Sequence, residues 1–299
     1  MNFENQTILL TGATGFTGLH LKKRLLGLGA TVVGISNVKS DTSNSDLIYA
    51  PLQNKDLVHD AVAKVQPDYV IHLAGISFAN HDNALPYYEV NVLGTENLLK
   101  ACRDIGGNIK KIILASSAAV YGDPKIEFIS ESQAPAPLSH YGCSKLTMEH
   151  IAKLYADSLN IQMTRPFNYT GPGQPAHFLI PKIVAHFKER KPAIELGNTN
   201  ITREFSDVRD AVENYIALLA SPANGIVNLC SGQAHSFIDI LETMTAITGH
   251  KIEVKTNPEF VRPNDIMRLV GDSTRLVEQT GRKAAFTLRD TLSAMVGDT

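Results

Sequence analysis

The sequence predicts an α/β protein built on a doubly wound parallel sheet, with a smaller C-terminal α/β lobe. Apolar runs of strand length alternate with helical patterns up to Pro166, and a glycine-rich turn follows the first run. Beyond Pro166 turn residues cluster in NYTGPGQPAHF, and the candidate strands and helices become shorter. Strands that alternate with helices indicate βαβ units, in which the strands are parallel.

The first predicted elements are the strand TILLTG, the helix in ATGFTGLHLKKRLLGLG and the strand ATVVGI. They form one βαβ unit. The next predicted elements are a helix, a strand, a helix and a strand, at 56–65, 69–74, 87–104 and 111–116.

A further helix is predicted from about Ser139 to Ser158, followed by the strand IQMTRP. Apolar and functional side chains recur there at helical spacing, from Tyr141 to Leu154. We expect residues 1–165 to form the first lobe, with 207–230 returning to it, and residues 166–206 and 231–299 to form the second.

The composition argues against polymer partners and membranes. The formal net charge is −2, which provides no broad attraction for nucleic acid or anionic membrane surfaces. No apolar run approaches the ~20 residues of a membrane span, and the N-terminus resembles no secretion signal. The 3 cysteines lack metal-ligand spacing. We therefore expect a cytoplasmic protein with free thiols and no metal site.

The segment TGATGFTG lies between the first strand and the first helix. Glycines at this turn allow close approach of a pyrophosphate, and the helix N-terminus provides N–H donors and a partial positive charge. This context predicts a Rossmann-type dinucleotide site. The expected cofactor ligands here are Gly12, Thr14, Gly15, Phe16, Thr17 and Gly18.

The end of the second strand bears on the choice of cofactor. NAD-binding proteins of this type place an acidic residue there to bind the ribose 2′-hydroxyl. This chain reads GISNVKS, in which Ser36, Asn37 and Lys39 could accept a 2′-phosphate. We expect NADP(H), with NAD(H) as the alternative. The competing interpretation, that Lys39 is a solvated loop lysine, stays open.

Tyr141 and Lys145 are four residues apart in YGCSK, on one face of the predicted helix. A nearby ammonium group favours the phenolate and lets a tyrosine exchange a proton with an alcohol or carbonyl. Ser116 and Ser117 close the strand KIILASS, at the edge where a dinucleotide site opens. Either hydroxyl could bind a carbonyl oxygen.

The ordered motifs TGATGFTG, HLAG, NVLGTENLL, SSAAVYG, YGCSK and RPFNYTGPGQ resemble the extended short-chain dehydrogenase/reductase family of sugar-nucleotide enzymes. The resemblance covers nearly the whole chain. Within this epimerase/dehydratase group, TREFSDVRDAV, VNLCSG and RPNDIMRLVGD are most similar to the GDP-4-keto-6-deoxy-D-mannose reductases.

This resemblance implies roles for individual residues. Tyr141 would be the general acid, Lys145 its partner and a ribose ligand, and Ser117, rather than Ser116, the hydroxyl that orients the carbonyl. Asn91 would support the central strands and the active-site helix, although a purely structural role is the alternative. Further cofactor contacts are expected from Leu73, Ala74, Gly75, Asn91, Tyr141 and Pro166.

The chain departs from the family pattern at two places. Family dehydratases carry an acidic residue beside the strand-end hydroxyl, where this chain has Ala118 and Ala119, so 4,6-dehydration is not expected. The family commonly places an adenine-binding aspartate where this chain reads PLQN. A 4-epimerase with tightly bound NAD is a remaining alternative.

Polar residues of the second lobe are candidates for the nucleotide end of the substrate. A guanidinium group matches phosphate oxygens in a bidentate way. We expect Asn168, Arg203 and Arg262 near the diphosphate, and Lys182 and Asp265 as further phosphate and ribose candidates. Ser77 could contact the sugar, whereas we interpret His72 as a structural histidine.

The sequence thus predicts NAD(P)H-dependent reduction of the C4 keto group of a 4-keto-6-deoxy sugar linked to GDP. Other nucleotide sugars, a 4-epimerase and a non-catalytic dinucleotide-sensing regulator are the alternatives. The resemblance also suggests a homodimer that pairs helices near 87–104 and 140–157.

Overall fold

The computed structural model describes residues 1–39, 46–76, 83–106, 109–260 and 266–297. Its central sheet contains seven parallel strands: β1 (Thr7–Thr11), β2 (Thr31–Ser36), β3 (Leu47–Tyr49), β4 (Tyr69–His72), β5 (Lys111–Ala115), β6 (Ile161–Pro166) and β11 (Gly225–Leu229). They are ordered β11-β6-β5-β4-β1-β2-β3. The predicted Rossmann-type α/β fold is confirmed.

The strand order reverses next to β1. The chain runs outward from β1 to β2 and β3, then returns to β4 on the other side and continues to β5 and β6. The carboxyl ends of β1 and β4 therefore flank the topological switch point, where ligands bind in open α/β sheets. Thr11 pairs with His72 at this edge.

The helices of this sheet are α1 (Phe16–Leu26), α2 (Lys55–Val65), α3 (Leu85–Tyr88), α4 (Thr95–Asp104) and α5 (His140–Lys153). Ser139 caps α5 by accepting a hydrogen bond from the Gly142 N–H at 3.1 Å. The predicted helix over 87–104 is observed as α3, a π-helical turn over Glu89–Gly94 and α4. The helix predicted to reach Ser158 ends at Lys153, because turns follow it.

The chain divides into two compact units. The first comprises Met1–Gly122, Ala134–Pro166 and Val212–Val227, with a core of the central strands and the faces of α2, α4 and α5 that pack on them. The second comprises Asp123–Gln133, Phe167–Ala211 and Asn228–Thr299.

The second unit contains the short strands and later helices: β7 (Tyr169–Thr170), α6 (Leu179–Lys188), β8 (Ala193–Leu196), β9 (Thr202–Glu204), β10 (Ser206–Asp207), β12 (Ala234–Ser236), α8 (Phe237–Thr248), β13 (Glu253–Thr256), β14 (Arg268–Leu269), α9 (Thr274–Thr280) and α10 (Leu288–Gly297). Helix α7 (Val208–Ala220) leads back into the first unit. A core of α6, α8 and α10 side chains stabilises the second unit.

The segment 123–133 lies in the second unit, although the sequence analysis assigned it to the first lobe. Its backbone explains the difference. The Ile129 N–H donates to the Val270 carbonyl at 2.9 Å, and the Asp272 N–H donates to the Ile129 carbonyl at 2.9 Å.

Three properties of the described ranges bear on function. No helix among them is long and apolar enough to cross a membrane. None of their His, Cys, Asp and Glu side chains cluster in a group suited to a metal ion. Cys102, Cys143 and Cys230 are free thiols.

Candidate active site

The glycine turn between β1 and α1 leaves no room for a side chain at Gly12 or Gly18. Gly12 has φ +71°, and a Cβ there would lie 2.9 Å from the Ala74 nitrogen. A Cβ on Gly18 would lie 2.0 Å from the Gly12 carbonyl oxygen. Helix α1 begins at Phe16 with Gly15 as its N-cap and has no acidic residue in its first turn. This bare, uncharged helix N-terminus fits the pyrophosphate of a dinucleotide.

The strand β2 ends in polar residues without a carboxylate. The Ser36 hydroxyl lies 3.1 Å from both the N–H and the carbonyl of Val38, which closes a tight turn. The Lys39 ammonium lies 5.3 Å from the centre of the Tyr49 ring. Both Asn37 and Lys39 are exposed, so they are accessible to a ligand at this strand end.

The two serines after β5 have different partners. Ser116 donates to Glu149 Oε1 at 2.6 Å, so its hydroxyl is engaged inside the protein. Ser117 caps the 3₁₀ turn Ala118–Tyr121, and its Oγ accepts the Ala119 N–H at 3.1 Å. The Ser117 hydroxyl proton is not used in that bond. This geometry favours Ser117 as the hydroxyl that could meet a carbonyl.

Lys145 lies one turn after Tyr141 on α5, and its ammonium donates to the Ala115 carbonyl at 2.7 Å. Burial lowers the pKa of Lys145 to about 8, an effect that the Glu149 carboxylate opposes. The Tyr141 ring is partly exposed and lies 6.3 Å from the ring of Tyr87. Near neutral pH the lysine is mostly charged and anchored at the strand end.

A buried hydrogen-bond chain crosses the switch point. The Ala74 N–H donates to Thr11 Oγ1 at 3.1 Å, and Thr11 Oγ1 lies 2.7 Å from His72 Nδ1. His72 Nε2 lies 2.9 Å from Thr95 Oγ1, which donates to the Asn91 carbonyl at 2.8 Å. Because Thr95 gives its proton to a carbonyl, it accepts from His72. The imidazole therefore carries its proton on Nε2 and accepts at Nδ1.

The Asn91 side chain continues this network to α5. Its Oδ1 accepts the Ile76 N–H at 2.9 Å, and its Nδ2 donates to the Ile76 carbonyl at 3.2 Å and to Ser144 Oγ at 3.0 Å. Ser144 in turn donates to the Tyr141 carbonyl at 2.8 Å. The π-helical turn carries Asn91. The amide thus links the segment after β4 to the first turn of α5.

Gly75 lies at the crowded point of this network. A Cβ on Gly75 would be 2.9 Å from Asn91 Oδ1 and 3.2 Å from the Lys145 ammonium. Leu73 and Ala74 are partly buried and Gly75 is exposed, so this segment offers backbone rather than side chains to a ligand. Pro166, at the end of β6, is also partly buried.

Of the predicted substrate ligands within the described ranges, Ser117 lies in the first unit, and Asn168, Lys182 and Arg203 lie in the second. Asn168 is exposed, and its carbonyl accepts the Ser206 N–H at 3.0 Å. Lys182 donates to the Glu195 carbonyl at 3.0 Å, and Arg203 donates to the Thr202 carbonyl at 3.1 Å. Three predicted residues lie outside the described ranges: Ser77, Arg262 and Asp265.

The sequence analysis missed one pair of residues next to this site, Glu149 and Arg165. Their carboxylate and guanidinium form a two-point ion pair inside the first unit. Both residues carry a signal that could have been used. Arg165 is a charge in the otherwise uncharged strand IQMTRP, and Glu149 lies one turn beyond Lys145 on the same helix face.

Relatives with named activities match nearly the whole chain. The family described as GDP-mannose 4,6 dehydratase matches residues 9–295. A GDP-6-deoxy-D-talose 4-dehydrogenase from Aggregatibacter actinomycetemcomitans is 34% identical, with 94% of this chain and 93% of that protein covered. A GDP-6-deoxy-D-mannose reductase from Pseudomonas aeruginosa is 30% identical, with 98% and 97% covered.

Solved structures agree with this relationship. RMD from Pseudomonas aeruginosa, complexed with NADPH, is 28% identical with a TM-score of 0.84, and 98% of each chain is covered. The UDP-glucose 4-epimerase of Thermus thermophilus, complexed with NAD, is 28% identical with a TM-score of 0.86 and the same coverage. The chain therefore belongs to the GDP-mannose 4,6 dehydratase family, within the epimerase/dehydratase group of short-chain dehydrogenases/reductases that modify nucleotide sugars.

Proposed function

We propose that this protein is an NADPH-preferring reductase of the C4 keto group of a GDP-linked 4-keto-6-deoxy sugar. The observation that supports it best is the arrangement at the end of β5. A capping serine, Ser117, precedes two alanines, and the adjacent helix carries Tyr141 and the anchored Lys145. These groups suit proton transfer to a carbonyl, whereas Ala118 and Ala119 leave no acid there for water elimination.

The proposed reaction balances as the addition of one hydride and one proton. NADPH, which the glycine turn from Gly12 to Gly18 would hold, would supply the hydride for C4 of the sugar. The Tyr141 hydroxyl transfers its proton to the oxygen at C4, and the Lys145 ammonium stabilises the resulting phenolate. The Ser117 hydroxyl donates a hydrogen bond to the same oxygen as negative charge develops on it.

The relatives support a GDP-linked 6-deoxyhexose as the substrate. The names of two of them specify a GDP-6-deoxy sugar, one with the talo and one with the manno configuration. These sugars differ in configuration at C4. The same keto substrate gives one or the other according to which face of the carbonyl receives the hydride. Product stereochemistry is therefore a property of the sugar's orientation beside Tyr141.

The test mixes purified protein with GDP-4-keto-6-deoxymannose and follows the absorbance of NADPH or NADH. We expect oxidation of NADPH that falls about 1,000-fold in Tyr141→Phe, because the proton donor is lost. The matched control, Tyr155→Phe, removes a hydroxyl whose only described partner is Glu96 and should retain wild-type turnover. NMR of the product then assigns the C4 configuration. Absence of turnover with both cofactors would refute the reductase.

A 4-epimerase is the second candidate, because a structural relative is a UDP-glucose 4-epimerase complexed with NAD. An epimerase returns the hydride to the same sugar and so keeps its cofactor. Purified protein that already carries NAD and interconverts UDP-glucose and UDP-galactose, without net oxidation of added NADPH, would favour this candidate. Protein with neither activity would point to a dinucleotide-sensing regulator.

The cofactor preference has its own test. Lys39 is exposed beside Tyr49, and β2 ends without a carboxylate. Lys39→Ala should raise the KM for NADPH about tenfold, as expected for loss of one cationic phosphate contact, and leave the KM for NADH within about twofold. Lys55→Ala, on the exposed first residue of α2, is the control and should change neither constant. An unchanged KM for NADPH in Lys39→Ala would refute this role.

We also propose a cytoplasmic homodimer. Leu154, just after α5, is an exposed apolar side chain (76% accessible), and Leu93 in the π-helical turn is another. Both lie in or beside the helices that the sequence analysis assigned to a dimer. Sedimentation of the purified wild-type protein and of Leu154→Asp tests the dimer. A wild-type protein that sediments as a monomer would refute it.

A further inference from the structure

Glu149 and Arg165 form an ion pair that is almost completely buried, with side-chain exposures of 1% and 4%. The contact is bidentate: Arg165 Nε lies 2.9 Å from Glu149 Oε1, and a terminal guanidinium nitrogen lies 2.6 Å from Oε2. A buried ion pair contributes little to stability compared with apolar side chains of the same size. The proposed reaction uses neither residue, so the pair calls for another explanation.

The pair contacts the chain on both sides of Ser117. Before it, Ser116 donates to Glu149 Oε1 at 2.6 Å. After it, the Arg165 guanidinium lies 4.7 Å from the centre of the Tyr121 ring, at the end of the 3₁₀ turn that Ser117 caps. The serine therefore lies between two residues that are held by the same ion pair.

The pair also joins this segment to α5. Glu149 lies one turn after Lys145, and Lys145 donates to the Ala115 carbonyl. The end of β5 is thus tied to one helix face at two consecutive residues, Ala115 and Ser116. Arg165 contacts Glu149 from β6, the strand next to β5. The residue before Arg165, Thr164, accepts a hydrogen bond from the Ser116 N–H at 2.8 Å.

We propose that Glu149 and Arg165 are a positioning pair that fixes the Ser117 hydroxyl relative to Tyr141 and Lys145. This inference rests on the proposed function, since it concerns the geometry of the proposed catalytic groups. Neither residue touches the reacting atoms. Their effect passes through Ser116, Tyr121 and the face of α5, where the Glu149 carboxylate also opposes the lowering of the Lys145 pKa.

The test separates positioning from stability with a double variant, Glu149→Leu/Arg165→Met. Removal of both charges leaves neither a buried carboxylate nor a buried guanidinium without its partner, so the fold should be retained. We expect a melting temperature within a few degrees of wild type, kcat reduced about 30-fold and a KM for NADPH within about twofold. The control, Arg24→Met/Glu213→Leu, removes a more exposed ion pair of the first unit and should leave kcat unchanged.

If the double variant does not fold, a milder variant still tests the proposal. Ser116→Ala removes one contact to Glu149 and leaves the ion pair intact. We expect a melting temperature close to that of wild type and kcat reduced about fivefold. Wild-type kcat in Ser116→Ala, or in a stable double variant, would overturn the proposal.

Hydrogen exchange tests the positioning pair without a measurement of turnover. Amides of 117–121 should exchange at least tenfold faster in Ser116→Ala, while those of β1 exchange as in wild type. If wild-type protein lacks reductase activity, the proposed function fails, and this exchange measurement still tests the positioning pair. Unchanged exchange at 117–121 would overturn it.

Discussion

His72 should make the stability of this protein fall steeply as the pH is lowered. Its imidazole is fully buried, donates from Nε2 to Thr95 and accepts at Nδ1 from Thr11. Protonation would put a second donor on Nδ1, opposite a Thr11 hydroxyl that already receives the Ala74 N–H. It would also bring a positive charge towards Lys145. Both effects disfavour the imidazolium in the folded state.

The size of the effect follows from proton linkage. Burial and Lys145 lower the pKa of His72 from 6.5 to about 3. Between these values the unfolded chain binds more protons than the folded chain, so the free energy of unfolding decreases as the pH falls. At about 1.4 kcal/mol per pKa unit, the full difference is about 5 kcal/mol below pH 3, and about 2 kcal/mol is lost between pH 7 and pH 5.

The assay compares urea unfolding of wild type and His72→Gln at pH 7 and pH 5. The glutamine amide can donate towards Thr95 and accept from Thr11, but it does not titrate. We expect His72→Gln to be less stable at pH 7, because its shape differs from that of imidazole. Between pH 7 and pH 5 it should lose about 2 kcal/mol less than wild type.

The control replaces one of the other histidines among the 10 in the chain. His150 on α5 is exposed, so His150→Gln should show the wild-type dependence on pH. If wild type and His72→Gln lose equal free energy between pH 7 and pH 5, His72 is not held neutral, and the assignment of its proton to Nε2 is wrong.

Two further predictions test the crowding at the site and the accessibility of the thiols. Gly75→Ala should raise the KM for NADPH or lower kcat at least tenfold, since its methyl group must displace the Asn91 amide oxygen 2.9 Å away. The control is Gly27→Ala, whose methyl group would meet only ordinary contacts from 3.4 Å. Mass spectrometry after iodoacetamide treatment of native protein should find Cys143 labelled first, because burial raises the pKa of Cys102 to about 12 and that of Cys230 well above its usual value. Equal labelling of all three thiols would contradict the burial of the latter two.

The fold was predictable because its signals are local and repeated. Apolar runs of strand length, helical periodicity and the glycine turn each indicate the same βαβ organisation. The spacing of Tyr141 and Lys145 likewise depends only on the geometry of one helix. Their placement on α5 required no knowledge of long-range contacts, and the choice of Ser117 over Ser116 came from the family resemblance.

The parts that escaped prediction depend on contacts between distant residues. Glu149 on a helix looks like a solvated residue until Arg165, on the following strand, is known to lie against it. The π-helical turn that carries Asn91 has no compositional signature, because it differs from an α-helix only in its hydrogen-bond pattern. The place of segment 123–133 depends on backbone bonds to residues more than a hundred positions away.

The polar residues behind the site share one arrangement. Four adjacent strands, β1, β4, β5 and β6, each carry a buried polar side chain within one residue of their carboxyl ends: Thr11, His72, Ser116 and Arg165. Three of these side chains contact a helix. His72 bonds to Thr95 on α4, and Ser116 and Arg165 both bond to Glu149 on α5. Thr11 bonds to His72.

A buried polar group left without its partner costs about 1–3 kcal/mol. Each of these contacts therefore penalises a change of register between sheet and helices. Because the proposed proton donor and its lysine lie on α5 and Ser117 follows β5, the same contacts that penalise a shift of α5 also preserve the geometry on which proton transfer would depend.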